Sequence, residues 1–99
     1  MRILDGEQTL CRIFIGDADK SHNHPLWRAL LERMRKEGIA GFGARSIVHT
    51  TNIVDLSTDL PIVIEVVDDA EHIAKLTQIL DEMLVGGMVT LEKVRVLRY

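Results

Sequence analysis

The amino-acid sequence predicts an α+β fold in which two helices cover one face of a four-stranded antiparallel sheet. The first observation is Pro61–Val67, which is apolar on both faces apart from Glu65 and is therefore typical of a strand in the middle of a sheet. The second is a pair of segments, one on each side of this run, whose apolar residues recur at helical spacing. The third is the imperfect alternation of apolar and charged residues over Met88–Tyr99, which is typical of a half-buried strand.

Two further strands complete the pattern. Residues 10–15 are a β-branched and aromatic run followed by a polar loop at 16–19, so they predict the first strand, with residues 1–9 as a loose lead-in. Residues 39–48 are Gly-rich and weakly patterned, and they predict a short strand followed by a polar loop over 49–52. The resulting order, β-α-β-β-α-β, is that of a ferredoxin-like fold.

The first helix is predicted from its boundary signals. Pro25 fits the first turn, Asn23 or His24 can cap it, and Gly38 can end it. The predicted buried stripe consists of Leu26, Trp27, Leu30, Leu31 and Met34.

The second helix is predicted in the same way. Asp68 or Asp69 can cap it, Glu71 is placed to complete a capping pattern, and Gly86-Gly87 can end it. The predicted buried stripe consists of Ile73, Leu76, Leu80, Met83 and Leu84.

Length and composition restrict the function classes. The 99 residues fit one domain spanning 1–99. A net charge of −3 disfavours nucleic-acid binding, because that binding depends on attraction to phosphates. The longest apolar stretch, residues 60–67, is far too short to cross a bilayer, and there is no signal-peptide pattern. We therefore expect a cytoplasmic protein with no membrane insertion.

The sheet face turned away from the helices is predicted to be apolar. Leu10 and Phe14 share one parity on the first strand, and the central strand is apolar on both sides. Such a face is too hydrophobic for a monomer in water, so we predict that it is buried by self-association. This argument does not fix the number of subunits.

The sequence contains no recognisable catalytic constellation, which favours a binding protein over an enzyme. There is no Gly-x-Ser-x-Gly motif, and Cys11, within an apolar run, is predicted to be a buried, inert thiol. The paired carboxylates Asp68-Asp69 and Asp81-Glu82 are expected at a helix end and on an exposed helix face.

Four histidines raise an alternative, a metal site. His22 and His24 are the best local candidates, with Asp17 or Asp19 completing the shell, although ordinary loop histidines explain the same pattern. His49 and His72 have no sequence-adjacent partner, and His72 is expected on the solvent side of its helix.

Two glycine-containing segments are candidates for anion binding. In Gly41–Arg45, glycines leave backbone N–H groups open to an anion, and Arg45 could add a guanidinium fork. The same Gly-x-Gly pattern also occurs in plain turns and matches no nucleotide-binding fingerprint. Gly86-Gly87 has the same ambiguity, because it also fits a helix stop.

Taken together, the sequence resembles the PII-like family of small bacterial and archaeal proteins, which is related in fold to the PII nitrogen-signalling proteins. The motifs that carry this resemblance are Leu10–Gly16, Asp19-Lys20, Pro25-Leu26, Gly38–Gly41, Phe42-Gly43, His49, Leu56–Pro61, Glu65–Asp68 and Gly87–Thr90. The resemblance implies a ferredoxin-like subunit, a homotrimer with its sheets packed inward, and ligand sites in clefts between subunits.

The resemblance also implies the ligand and its contacts. In PII proteins these clefts bind adenine nucleotides through a Gly-Phe-Gly turn and through the loop that precedes the last strand. The matching residues here are Gly41, Phe42, Gly43 and Arg45 for the first element and Gly87, Met88 and Thr90 for the second. The implied role is non-enzymatic sensing, with a protein partner contacted through the 42–52 loop. A metal-binding trimer resembling copper-tolerance proteins and a ligand-free assembly scaffold are the alternatives.

One segment departs from the family pattern. Relatives usually insert a segment like Ala-Thr-Val-x-Arg-Gly before Gly-Phe-Gly, whereas Gly41 here runs directly into Phe42. Because loss of an edge strand would expose its neighbour's backbone, we predict an interruption of the chain between Gly38 and Phe42. An unbroken chain would instead indicate a true deletion and would weaken the assignment of residues 41–45 to a nucleotide site.

Overall fold

The computed structural model describes residues 3–39, 46–50 and 61–99. The elements in chain order are β1 (Ile3–Gly16), β2 (Lys20–Ser21), β3 (His24–Pro25), α1 (Leu26–Lys36), β4 (Ser46–Thr50), β5 (Pro61–Asp68), α2 (Ala70–Met83) and β6 (Met88–Arg98).

The main sheet has the order β4-β5-β1-β6, and every neighbouring pair is antiparallel. This confirms the predicted ferredoxin-like fold. The small β2–β3 hairpin is an addition that the sequence analysis did not predict. The predicted lead-in was wrong, because β1 starts at Ile3 and its first half pairs with the end of β6, with a register shift between Leu4 and Glu7.

The core lies between the two helices and one face of the sheet. Cys11, Ile13 and Ile15 of β1 stand opposite Val66, Ile64 and Ile62 of β5, and all six are buried. The helices cover them with Leu26, Leu30 and Met34 from α1 and Ile73, Leu76, Ile79 and Leu80 from α2. The predicted stripes are confirmed at most positions. The exceptions are Trp27, Leu31, Met83 and Leu84, which are only partly buried.

The β2–β3 hairpin changes how α1 begins. Its two central residues, His22 and Asn23, have φ of 49° and 67°, the positive values that a two-residue hairpin turn needs. Neither Asn23 nor His24 caps α1, so that prediction was wrong: Pro25 is the N-cap, without a side-chain hydrogen bond. The start is fixed instead by Asp19, whose carbonyl accepts a hydrogen bond from the Leu26 N–H at 2.8 Å.

The end of α1 is the predicted glycine stop. Gly38 has φ of 74° and donates its N–H to the Arg35 carbonyl, while the Ile39 N–H donates to the Met34 carbonyl at 2.9 Å. These two bonds form a Schellman motif, and Ile39 and Met34 are both buried beside it.

The start of α2 is capped by Asp69, as predicted, because its side chain accepts a hydrogen bond from the His72 N–H. The role predicted for Glu71 was wrong, because the residue three positions after the cap is His72. The predicted stop was also displaced: α2 ends at Met83 with Leu84 as an extended C-cap, before Gly86-Gly87.

The fourth strand is present at the edge of the sheet. β4 pairs with β5 from Ser46 to Thr50, so the predicted strand begins later than residue 39, and His49 and Thr50 belong to it rather than to a loop. The predicted interruption between Gly38 and Phe42 falls mostly outside the described residues, which include only Gly38 and Ile39 of that window. It stays a prediction.

The sheet face away from the helices, here called the open face, is apolar around a central cluster of three ion-paired side chains. Leu10 and Val63 are buried on it, and Phe14 is half-buried beside them. Arg12 lies between Glu65 and Glu92, with N–O distances of 3.1 and 3.3 Å. Leu10 and Phe14 therefore share this apolar face as predicted, and the ion-paired Arg12 lies between them.

Candidate functional site

Gly87 occupies a position where only glycine fits. Its φ is 99°, and a Cβ built on it would lie 2.5 Å from the backbone oxygen of Phe14. This contact is possible because β6 starts directly beside the end of β1. The backbone at Gly87 therefore approaches the end of β1 more closely than a residue with a side chain would allow.

An open cleft of about 300 Å³ is formed by residues 80, 81 and 84–89, between the end of α2 and the start of β6, and is here called the Gly87 cleft. Met88 lines this cleft and has 56% of its surface exposed. Gly87 and Met88, both predicted site residues, are thus brought together at one cleft, where they offer backbone groups and a thioether surface.

Thr90 lies on the open face rather than in that cleft. It stands opposite Arg12 in the β1–β6 pairing, and directly opposed residues share a face of the sheet. Thr90 is exposed, and the Glu92 carboxylate that pairs with Arg12 is 59% exposed. An anion approaching this face would meet the Thr90 hydroxyl and the Arg12 guanidinium. The ion pair between Arg12 and the exposed Glu92 is weak.

The other predicted site residues, Gly41, Phe42, Gly43 and Arg45, lie outside the described residues. They directly precede β4, which is at one edge of the sheet, whereas Gly87, Met88 and Thr90 belong to or precede β6 at the opposite edge. Three interstrand spacings, about 14 Å, separate the two edge strands. The second half of the predicted site is described, and the first half is not.

The histidines predicted as metal ligands are both exposed on the β2–β3 hairpin. Of the two residues predicted to complete the shell, Asp17 and Asp19, the second accepts a hydrogen bond from the Gly16 N–H at 2.9 Å. Within residues 3–39, 46–50 and 61–99, a single group of three ligand-bearing side chains lies within 4.8 Å, and it does not include His22 or His24.

That group is Asp68, Asp69 and His72 at the start of α2. His72 Nδ1 lies 2.9 Å from Asp69 Oδ1 and 3.3 Å from Asp68 Oδ1, so the expectation that His72 has no nearby partner was wrong. The hydrogen bond from the His72 backbone N–H lowers the pKa of Asp69 below its ordinary value. The two carboxylates accept hydrogen bonds from the backbone N–H groups of Asp69 and His72 at the start of α2.

Cys11 is fully buried in the core, and burial raises the pKa of its thiol to about 11. The prediction of a buried thiol is confirmed. A thiol in this state is a poor nucleophile, because the thiolate is the reactive species.

The sequence analysis missed a second open cleft, of about 780 Å³, which is bounded by the β2–β3 hairpin, α1 and the end of α2. It is here called the basic cleft. No local motif could reveal it, because its walls come from three segments that are separated in sequence. One residue, Val85, lines both this cleft and the Gly87 cleft.

The sequence model of DUF190, a family described as "Uncharacterized ACR, COG1993", matches residues 8–96. The chain belongs to the DUF190 family. A UPF0166 protein of Aquifex aeolicus (strain VF5) is 30% identical over 108 residues, which cover 98% of each chain. Another match to a UPF0166 protein of the same organism is 40% identical over 60 residues, covering 61% of this chain and 62% of the relative.

The first alignment bears on the departure from the family pattern. It spans 108 positions, whereas this DUF190 chain has 99 residues, so at least nine positions have no counterpart here. The alignment therefore contains gaps in this chain, and its length alone does not place them.

Solved structures confirm the fold of the DUF190 chain as PII-like. The apo form of CPII from Thiomonas intermedia K12, a nitrogen regulatory PII-like protein, superposes with a TM-score of 0.73 at 14% identity and full coverage of both chains. CPII bound to ADP and bicarbonate gives a TM-score of 0.65 at 14% identity, covering 95% of this chain and 91% of CPII. A PII-like signaling protein of Thermus thermophilus gives 0.67 at 16% identity, covering 91% of this chain and 88% of that protein.

Proposed function

We propose that this DUF190 protein is a trimeric, non-enzymatic sensor that binds an adenine nucleotide or a similar anion in clefts between subunits. Each site consists of Gly41, Phe42, Gly43 and Arg45 from one subunit and Gly87, Met88 and Thr90 from its neighbour. The protein acts in the cytoplasm and passes its ligand state to a protein partner through residues 42–52.

The observation that carries this proposal is the position of the two halves of the site. One half directly precedes the edge strand β4, and the other lies at the start of the opposite edge strand, β6. Two strands, β5 and β1, lie between them, so a compact ligand is more easily held by the two edges of neighbouring copies than by one chain.

Two further observations support it. The open face that would be buried in the trimer is apolar around the Arg12 ion pairs, as expected for a self-associating surface. The fold matches that of CPII, which has been solved with ADP and bicarbonate.

Calorimetric titration of the purified protein with AMP, ADP, ATP and cyclic nucleotides, each with and without bicarbonate, tests the proposal. We expect one of them to bind, and we expect Arg45→Ala to weaken that binding. Arg35→Ala is the matched control, because this substitution removes the same charge from an exposed position near the end of α1, away from the site. Absence of heat with every nucleotide at millimolar concentration would contradict nucleotide sensing and leave the assembly scaffold.

A further inference from the structure

The basic cleft is formed by side chains from three separate segments. Its described wall consists of Lys20, Ser21, His22 and His24 from the hairpin, Arg28, Ala29, Glu32, Arg33 and Lys36 from α1, and Glu82, Met83 and Val85 from the end of α2 and beyond. The cleft lies on the helix side of the molecule, whereas the surface assigned above to self-association is the opposite, open face. It therefore stays accessible in the proposed trimer.

The charge of this wall differs in sign from that of the whole protein. The chain has a net charge of −3, whereas the described wall carries four Lys or Arg side chains and two carboxylates. Glu82 is already neutralised by Arg33, whose Nη2 lies 2.8 Å from its carboxylate. An acidic protein that gathers cations in one cleft presents a local surface complementary to an anion.

Three of the cations lack a carboxylate partner within the part of the chain that the structure describes. They are Lys20, Arg28 and Lys36. Arg28 instead places its guanidinium 5.2 Å from the centroid of the Trp27 ring. As far as these described residues go, their charges are available to a ligand without first breaking an ion pair.

The spacing of these cations indicates the shape of that ligand. Arg28 and Lys36 are eight residues apart on one face of α1, about 12 Å from each other, and Glu32 lies between them in the same row. A single phosphate could contact only one end of such a row. About four residues of extended peptide have the matching length.

An apolar contact is available at the far wall of the same cleft. Val85 is fully exposed and Met83 is partly buried, next to the Arg33–Glu82 ion pair. Open clefts with mixed apolar and charged walls suit a peptide better than a small molecule, because small-molecule sites usually enclose most of their ligand.

We propose that the basic cleft docks an acidic, extended segment of a partner protein that carries one apolar side chain among its carboxylates. Lys20, Arg28 and Lys36 pair with the carboxylates, and Val85 with Met83 receives the apolar side chain. The observations that carry this docking surface are independent of those that carry the proposed function, and the two clefts share one residue, Val85.

The experiment uses a short fluorescein-labelled peptide of glutamates around one leucine, with anisotropy as the binding signal. Fluorescence of Trp27, the single tryptophan, provides a second signal from the protein, because a ligand that engages Arg28 removes a cation from beside the indole ring. We expect both signals to saturate together and the affinity to fall as salt is raised. The same peptide with lysines in place of glutamates should not bind.

Charge-removing variants locate the site. Arg28→Gln and Lys36→Gln should each weaken peptide binding by about two- to fivefold, and the double variant by about four- to 25-fold. Arg35→Gln lies on the same helix but outside the cleft and should bind like the wild type.

Three outcomes would overturn the proposal. The first is an Arg35→Gln variant that loses as much affinity as Arg28→Gln, since the effect would then come from net charge alone. The second is absence of peptide binding at millimolar concentration by the folded wild-type protein. The third is inorganic tripolyphosphate saturating the Trp27 signal when the peptide does not, which would assign the cleft to a small phosphoryl anion instead.

Discussion

Replacing Gly87 with alanine tests whether the start of β6 depends on the close approach to Phe14. Alanine at a φ of 99° is strained by about 1–2 kcal/mol. Its Cβ would also lie 2.5 Å from the Phe14 backbone oxygen, which cannot move without shifting β1. Relieving such an overlap in a packed structure costs about 1–3 kcal/mol. We therefore expect Gly87→Ala to lower the free energy of unfolding by about 2–5 kcal/mol.

Two other glycines separate these contributions. Gly38 has a φ of 74° but no atom within 4 Å of a built Cβ, so Gly38→Ala should cost only about 1 kcal/mol from backbone strain. Gly86 has neither a positive φ nor a close atom, so Gly86→Ala should change stability by no more than about 0.5 kcal/mol. The predicted order of stability is Gly86→Ala, then Gly38→Ala, then Gly87→Ala.

Urea unfolding followed by far-ultraviolet circular dichroism measures this order. All variants must be compared at one protein concentration, because the stability of an oligomer depends on it. In thermal unfolding, Gly87→Ala should lower the Tm by about 10–20 °C. Equal stability of Gly87→Ala and Gly86→Ala would refute the steric argument, and equal loss in Gly38→Ala and Gly87→Ala would show that strain alone matters.

Three further predictions concern reactivity, pH and assembly. Because burial raises the pKa of Cys11 to about 11, only about one thiol in a thousand is ionised at pH 8. A thiol reagent should therefore label Cys11 in the unfolded protein but leave it unlabelled for minutes in the native protein. The pKa of Asp69 is lowered on folding, so its stabilisation is present above the unfolded pKa of about 3.9 and is lost as pH falls through the lower folded value. Asp69→Ala should therefore lower the urea midpoint at pH 7 but less at pH 3, and an equal loss at both would contradict this. Light scattering should give a mass of about 34 kDa, three times that of the 11.2 kDa chain, and Phe14→Asp on the open face should lower this mass. A monomeric wild-type protein would exclude self-association, and a dimer would exclude the trimer.

The strongly periodic elements of this fold could be predicted from the sequence, and β1 could have been predicted more fully. Residues 3–9 contain Gly6 and polar side chains, so no alternation marks them as a strand. The predicted last strand, however, covered Met88–Tyr99, twice the length of the predicted first strand. Its second half required a partner, which Ile3 and the residues after it provide.

The β2–β3 hairpin shows where local patterns are ambiguous. Asn23 is a residue type favoured both at helix N-caps and at positive φ, and its sequence neighbours do not distinguish these roles. The structure uses it in the turn, next to His22. Both histidines of the hypothetical metal site are thereby placed on an exposed hairpin.

The candidate site was predictable only as separate pieces. Gly87 could be recognised from the sequence as a glycine in the loop before the last strand. The Phe14 oxygen that excludes a side chain there, however, is 73 residues away in sequence. The basic cleft has no sequence signature, because Lys20, Arg28 and Val85 are brought together only by the packing of the hairpin and the two helices. Tertiary structure, rather than spacing along the chain, creates both surfaces.

The position of Val85 bears on the binding free energies of both clefts, because this residue lines the basic cleft and the Gly87 cleft. The short segment that carries it leads from the Arg33–Glu82 ion pair to Gly87, whose φ is 99°. If ligands in both clefts contact Val85, each of them changes the binding free energy of the other. By linkage, such coupling is reciprocal: if a nucleotide near Gly87 alters the affinity for a peptide by some factor, the peptide alters the affinity for the nucleotide by the same factor. A single exposed valine would thus be enough to make two binding equilibria of this small protein depend on each other.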